Sequence, residues 1–178
     1  MSLKHTLPDD AVRIRIENST NATECLMIRA VNEAAFGGSE EADLIDKLRG
    51  DQALISLVAE RESAIVGHIL FSRMWIKTAC KLVPAVALAP VAVLPEQQRK
   101  GIGQRLIVQG LELLKNQGEE IVIVVGHPDY YPRFGFSSAK AMSLESPFPR
   151  EAFMAMELVE GALRSVQGVV VYPTAFGL

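Results

Sequence analysis

Residues 88–117 constrain this chain most, because an apolar segment, a polar turn and a periodic helix follow one another there without interruption. Val91-Ala92-Val93-Leu94 is apolar and rich in β-branched residues, which reads as a buried strand. Pro95 stops it, Glu96-Gln97-Gln98-Arg99-Lys100 forms a short polar turn, and Gly101-Ile102-Gly103 opens a helix. Ile102, Leu106, Ile107, Leu111 and Leu114 recur close to the helical period and mark the face it buries. Gly118 stands where a C′ glycine ends a helix.

A helix that starts in this way has a chemical consequence. Its first N–H groups lack intrahelical partners and point outward with the positive end of the macrodipole. Gly101 and Gly103 carry no Cβ, so a bulky anion can approach the main chain closely. The dipole is worth about 0.3–1 kcal/mol at an exposed site, whereas each hydrogen bond to a charged group contributes roughly 1.5–3 kcal/mol. Convergent amides therefore dominate, and they suit a diphosphate better than a single carboxylate. Arg99 and Lys100 add cationic side chains. Two familiar phosphate cradles do not fit: no glycine run ending in Lys-Ser/Thr is present, and Leu106 occupies the place of a dinucleotide fingerprint's third glycine.

The chain has 178 residues, enough for one domain with a substantial core. With 49% hydrophobic residues it is not a disordered chain. A formal charge of −3 leaves no basic stripe for nucleic acid. Cys25 and Cys80 are isolated, without metal spacing, which suits free thiols in a reducing compartment. Residues 1–10 read as a flexible N-terminal segment without a signal-peptide core, and 11–178 as a single domain. The longest apolar run, 83–95, is broken by prolines and falls short of the ~20 residues of a membrane span. A soluble, cytoplasmic protein is expected, with no metal.

Along the chain, residues 12–17 alternate apolar and polar as a half-buried strand. Thr20 or Asn21 caps a helix whose apolar faces carry Cys25, Leu26, Ile28, Val31 and Ala35, and Phe36-Gly37-Gly38 breaks it. A second helix follows Ser39 with Leu44, Ile45 and Leu48 turned inward. Residues 54–60 and 64–76 read as an antiparallel pair joined through Arg61-Glu62-Ser63. Pro90 cannot donate to a ladder, so it marks a bulge, a lapse in pairing or an edge position. A lapse would leave main-chain groups free for an amide-bearing ligand. Residues 121–125 are fully apolar and follow the glycine-led helix, so they form a strand parallel to the one before it. Residues 153–158 and 169–172 supply at least two more strands.

Gln98, Gly101 and Gly103 compose Gln-x-x-Gly-x-Gly after a strand ending Val-Ala-Val. This resembles the coenzyme A motif of the GCN5-related N-acetyltransferase (GNAT) superfamily. Tyr131 with Gly135-Phe136 matches the Tyr-x-x-x-Gly-Phe that members carry after the next strand. The fuller string from Gly126 through Phe136, with Leu88-Ala89-Pro90 upstream, looks like the bacterial YhbS-like branch. The resemblance spans nearly the whole chain. It implies an α/β (α+β) fold with a mixed central sheet of about six to seven strands flanked by helices and a splayed parallel pair at its centre.

By the same resemblance the protein is an acetyl-CoA-dependent N-acetyltransferase, and acetyl-CoA is its co-substrate. Val91, Ala92 and Val93 would pair with the pantetheine arm. Gln98, Arg99, Lys100, Gly101, Ile102, Gly103 and Gln104 would surround the diphosphate, with the amides of 99–104 gripping it. Val93 would hold the thioester carbonyl, and Tyr131 would serve the departing thiolate. One departure is plain: Val124 stands where many members have an Asn, and Gly126 or His127 is left to replace it. No carboxylate lies between 83 and 94, so the base is open among His68, His127, Glu33 and Glu60. Tyr130 is a less well-spaced alternative to Tyr131, and Phe134 and Phe136 read as core. Residues 36–38 lie where members grip the acceptor, a small-molecule or peptide amine, and homodimers are common in the family. The rival reading is a non-catalytic acyl-CoA sensor or partner subunit on the same fold.

Overall fold

The computed structural model describes residues 12–178, so the segment read as loose, 1–10, lies outside the described residues. After the short strand β1 (Arg13–Ile16) come the helices α1 (Ala22–Phe36) and α2 (Glu40–Leu48). β2 (Ala53–Arg61) and β3 (Ala64–Lys77) form the predicted antiparallel pair. Their link is tighter than expected, since only Glu62 and Ser63 turn, with φ of 50° and 64°. Left-handed values at both central positions match the twist of the strands they join. β4 (Leu82–Val93) runs antiparallel to β3 and leads through a 3₁₀ turn at Pro95–Gln97 into α3 (Ile102–Asn116). β5 (Ile121–Val125) then returns parallel to β4, as the strand–helix–strand pattern predicts.

Three further strands complete the sheet. β6 (Leu144–Glu145) pairs with β8 (Gly168–Val171), which borders the far end of β3, while β7 (Phe153–Glu157) pairs with β5. Among the described residues the sheet thus has eight strands in the order β1-β2-β3-β4-β5-β7, with β8 beside β3 and β6 beside β8, against the about six to seven expected. β6 spans two residues, too short to carry a readable alternation.

Both faces of the sheet are covered. Ile102, Leu106, Ile107, Leu111 and Leu114 of α3 pack with Leu57, Phe71, Val86 and Val122 on one face. Ile28 and Val31 of α1 and Ile45 and Leu48 of α2 pack with Val58, Ile65, Leu70 and Ala92 on the other. Towards β7, that second face is closed by the C-terminal segment, where Ala141, Leu144 and Leu163 meet Ile121, Ile123 and Phe153. β5 is apolar throughout because Val122 and Val124 serve one face and Ile121 and Ile123 the other. The five α3 side chains, at roughly 1.5–3 kcal/mol each when fully buried, outweigh anything the helix gains from propensity. Gly118, with φ 83°, ends α3: its N–H reaches Lys115 O, and that of Glu119 reaches Leu114 O.

One local expectation is resolved between its two alternatives, and two change. Asn21, not Thr20, caps α1, its Oδ1 accepting from the N–H groups of Thr23 and Glu24 at 3.0 and 3.2 Å. Leu26 is 67% exposed, because the buried stripe runs through Ile28, Val31 and Asn32 and leaves position 26 on the outer side. In β1 the polar face is also covered. Arg15 donates to Glu24 through two bonds of 2.9 Å and to Glu60 through one of 2.6 Å, while Ile16 is 66% exposed. The Arg15 guanidinium holds the Glu24 carboxyl below its usual range despite burial.

A buried polar chain ties β1, β2, β3 and α1 together. Glu17 accepts from Arg49 Nε at 2.7 Å and from the Ser56 hydroxyl. With its proton committed to that carboxylate, Ser56 Oγ accepts from His68 Nε2 at 2.9 Å, and His68 Nδ1 accepts from Asn32 Nδ2 at 3.3 Å. His68 is fully buried, and desolvation, aided by Arg49, pushes its pKa down from 6.5 to about 3. The unfolded chain protonates this histidine near 6.5, the folded chain only near 3. Stability is therefore full above pH 6.5 and is lost as pH falls. Between about pH 5 and 6.5, above the carboxylate range, the slope should approach about 1.4 kcal/mol per pH unit. Urea unfolding across that range should give a shallower slope for His68→Gln than for wild type; equal slopes would contradict a neutral buried imidazole.

Candidate functional site

β4 and β5 pair only through Val86↔Val122, Ala87↔Ile123 and Leu88↔Val124. Past Leu88, β4 continues to Val93 with no strand on that side among the described residues. The cause lies at Pro90. Ile69 faces Val91 and Phe71 faces Leu88, so Ala89 and Pro90 together oppose the single residue Leu70. This is the bulge expected from Pro90, and it turns β4 away from its parallel neighbour. The strands part around a cleft of about 960 Å³.

The start of α3 forms one wall. Arg99 and Gly101 have left-handed φ of 61° and 80°, which fold the turn so that α3 begins at the cleft. Gly101 occupies the N-cap position, and no side chain caps the helix. The first intrahelical bond runs from Arg105 N to Gly101 O at 3.0 Å, so the N–H groups of Ile102, Gly103 and Gln104 precede the ladder. The two glycines differ in purpose. A Cβ on Gly101 would meet nothing within 4 Å, so it is the backbone angle that demands glycine. A Cβ on Gly103 would stand 3.5 Å from Tyr130 Oη and 3.7 Å from Val93 Cγ2, narrowing the space between the walls. Gln98 ties the turn to the end of β4, its Nε2 donating to Val93 O at 3.0 Å.

Most residues singled out in the sequence border this cleft. Val91, Val93, Gln98, Arg99, Gly101, Ile102, Gly103, Gln104 and Tyr131 line it. Two lie outside the lining. Ala92 is buried on the opposite face, against α1 and α2. Alternation along β4 sends its side chain there, so only its main chain is near the cleft. Lys100 is exposed, and its Nζ donates to Gln97 Oε1 at 3.1 Å.

Tyr131 stands across from α3 in a 3₁₀ turn (Tyr131–Phe134) that follows β5. Its ring packs edge-on to Tyr130 and Phe136, at centroid distances of 5.2 and 5.8 Å. A Cβ on Gly126 would fall 2.2 Å from Tyr131 Cε2, so that glycine makes room for the ring. The residue is 8% exposed, and burial pushes the phenol up to about 12. Phe136 is core, as read from the sequence, and Phe134 packs against it from the rim.

The candidate bases separate cleanly. His127 is exposed and lines the cleft. His68 belongs to the buried chain described above, outside the lining. Glu33 pairs with Arg29 and Glu60 with Arg15, both away from the cleft. Sequence reasoning missed two charged residues. Glu41 of α2 lines the cleft beside Ala35, Phe36 and Leu44, and Arg133 lines it near Tyr130, lying 4.7 Å over that ring. Arg133 sat inside the tyrosine motif, but nothing local to α2 marked Glu41. Its position depends on how α2 docks against the sheet.

Comparison with known proteins places the chain. The family model for the acetyltransferase (GNAT) domain matches residues 18–139. The chain is 41% identical over 138 residues to the uncharacterized N-acetyltransferase YjhQ of Escherichia coli K12, covering 74% of this chain and 76% of YjhQ. Among solved structures, it is similar to Escherichia coli YhbS in complex with CoA, at a TM-score of 0.85 and 30% identity, covering 98% and 96% of the two chains. It is also similar to a Brucella melitensis GNAT family acetyltransferase in complex with acetyl-CoA, at a TM-score of 0.77 and 32% identity, covering 94% and 99%. With its splayed parallel pair, its glycine-led helix start and a family model that spans most of its length, this chain belongs to the GNAT acetyltransferase family.

Proposed function

We propose that the protein transfers an acetyl group from acetyl-CoA directly to an amine. The observation that carries this reading is the uncapped start of α3, set beside the unpaired edge of β4 and facing Tyr131 across one cleft. The relatives solved with CoA and acetyl-CoA support the same co-substrate. The N–H groups of Ile102, Gly103 and Gln104 bind the diphosphate, with Arg99 beside them and Lys100 adding charge from the solvent side. The main chain of Val91 to Val93 aligns the pantetheine arm, and a backbone N–H at Val93 polarises the thioester carbonyl.

The bound thioester supplies an activated acetyl group. The amine nitrogen attacks its carbonyl carbon, the C–N bond forms, and the C–S bond breaks with its electron pair on sulfur. The proton released from nitrogen passes to water, with His127 the histidine at hand in the cleft. Tyr131 faces the sulfur. A phenol at about 12 is a weaker acid than a thiol near 8.5, so full transfer would be uphill by roughly 5 kcal/mol. Tyr131 therefore keeps its proton and stabilises the thiolate by a hydrogen bond.

Tyr131→Phe should lower turnover by about 10²–10³-fold, the usual cost of removing one donor to a developing anion, while CoA affinity stays close to wild type, measured by thiol release and by calorimetry. Unchanged turnover would remove Tyr131 from the reaction. The cradle is tested separately. Valine cannot easily adopt φ near 80°, so Gly101→Val should weaken CoA binding about tenfold or more in a protein that still folds. Wild-type affinity in that variant would contradict a diphosphate site at the start of α3.

A further inference from the structure

Two of the four acids of α2, Asp43 and Asp46, are neutralised, and two, Glu40 and Glu41, have no ion-pair partner among the described residues. Arg29 bridges Asp43 and Asp46, and Arg49 takes Asp46 together with Glu17. Glu40 is exposed and outside the cleft lining. Glu41 alone among them lines the cleft, and among the described residues it has no ion-pair partner. The two helices that bring it there contribute apolar lining: Ala35 and Phe36 at the end of α1, and Leu44 one turn along α2. Phe36 is 45% exposed, an aromatic face left open in the same cleft. Arg99 and the free amides of α3 belong to the part of the cleft formed by the glycine turn. The arginines of the cleft, Arg99 and Arg133, come from the glycine turn and the tyrosine turn, whereas α2 contributes Glu41, so an acceptor that reaches Glu41 meets a negative charge on elements that also bring Ala35, Phe36 and Leu44 to the lining.

We propose that Glu41 selects the acceptor, and that the acceptor is a linear aliphatic di- or polyamine. One nitrogen is acetylated, while a second, protonated nitrogen pairs with Glu41, and the intervening methylenes lie on Phe36 and Leu44. This rests on the acetyl-transfer reading above. A carboxylate and an aromatic ring together recognise an alkylammonium group through a charge-assisted bond and a cation–π contact. A neutral amine meets only the apolar wall, and an anionic acceptor is repelled.

Two measurements test this independently of each other. Thiol release from acetyl-CoA is compared for spermidine, cadaverine and pentylamine with wild type, Glu41→Gln, Glu41→Asp and Glu40→Gln. Wild type should use spermidine and cadaverine at least about tenfold better than pentylamine in kcat/KM. Glu41→Gln should lose that preference through a raised KM, Glu41→Asp should regain part of it, and Glu40→Gln should retain it. Spermidine binding to the CoA-loaded protein, by calorimetry, should weaken about tenfold in Glu41→Gln relative to Glu40→Gln. Equal binding to both variants, or pentylamine used as well as cadaverine, overturns the assignment of Glu41. Failure of CoA itself to bind overturns the acetyl-transfer reading instead, and spermidine titration of the protein alone still judges Glu41.

Discussion

Everything at the cleft follows from the point where β4 and β5 cease to pair. Three residue pairs hold them together, from Val86↔Val122 to Leu88↔Val124, and then Ala89 and Pro90 crowd against Leu70. A sheet whose central strands stayed paired would seal this space with main-chain hydrogen bonds. Because the ladder stops, the edge of β4 from Ala89 to Val93 remains without a strand partner in the middle of the molecule. An edge of this kind is usually a liability. Here it lies at the base of a cleft, flanked by α3 and by the aromatic turn after β5, where an extended amide-bearing ligand can complete it.

The rest of the fold fixes that opening in place. α3 is held against the sheet by its apolar face, from Ile102 at the cleft to Leu114 three turns along, so packing sets the orientation of its first turn. The turn between β4 and α3 is locked by left-handed angles at Arg99 and Gly101 and by the Gln98 bond to Val93 O. On the other face, the chain from Arg49 through Glu17, Ser56 and His68 to Asn32 binds α1 to the strands. That anchors Ala35 and Phe36, at the end of α1, beside the cleft. Neutral His68 thus serves the architecture, whereas the exposed His127 lies in the cleft lining.

What was legible in the sequence was local or periodic. The strand–turn–helix of residues 88–117, the hairpin, the parallel β5 and the bulge at Pro90 each leave a pattern within a few residues. The cleft lining contributed by the glycine turn and the tyrosine motif was readable for the same reason. Where the outcome depended on distant partners, the pattern misled or fell silent. The alternation in β1 made Arg15 and Glu17 look solvated, because the burial of charge depends on Glu24, Glu60 and Arg49 elsewhere in the chain. Ala92 belonged to the expected motif, yet strand geometry turns its side chain to the opposite face. Glu41 was invisible as a site residue, since an acidic residue near a helix start ordinarily serves the dipole. β6 was too short to announce itself.

The central claim is that unpartnered amides at the start of α3 hold the diphosphate of coenzyme A. Titrating isotopically labelled protein with CoA and following its amide resonances tests this directly. The N–H protons of Ile102, Gly103 and Gln104 should move downfield by more than any amide on the exposed face of α3, as expected for charge-assisted hydrogen bonds. Saturating CoA that leaves those three resonances in place would contradict the account.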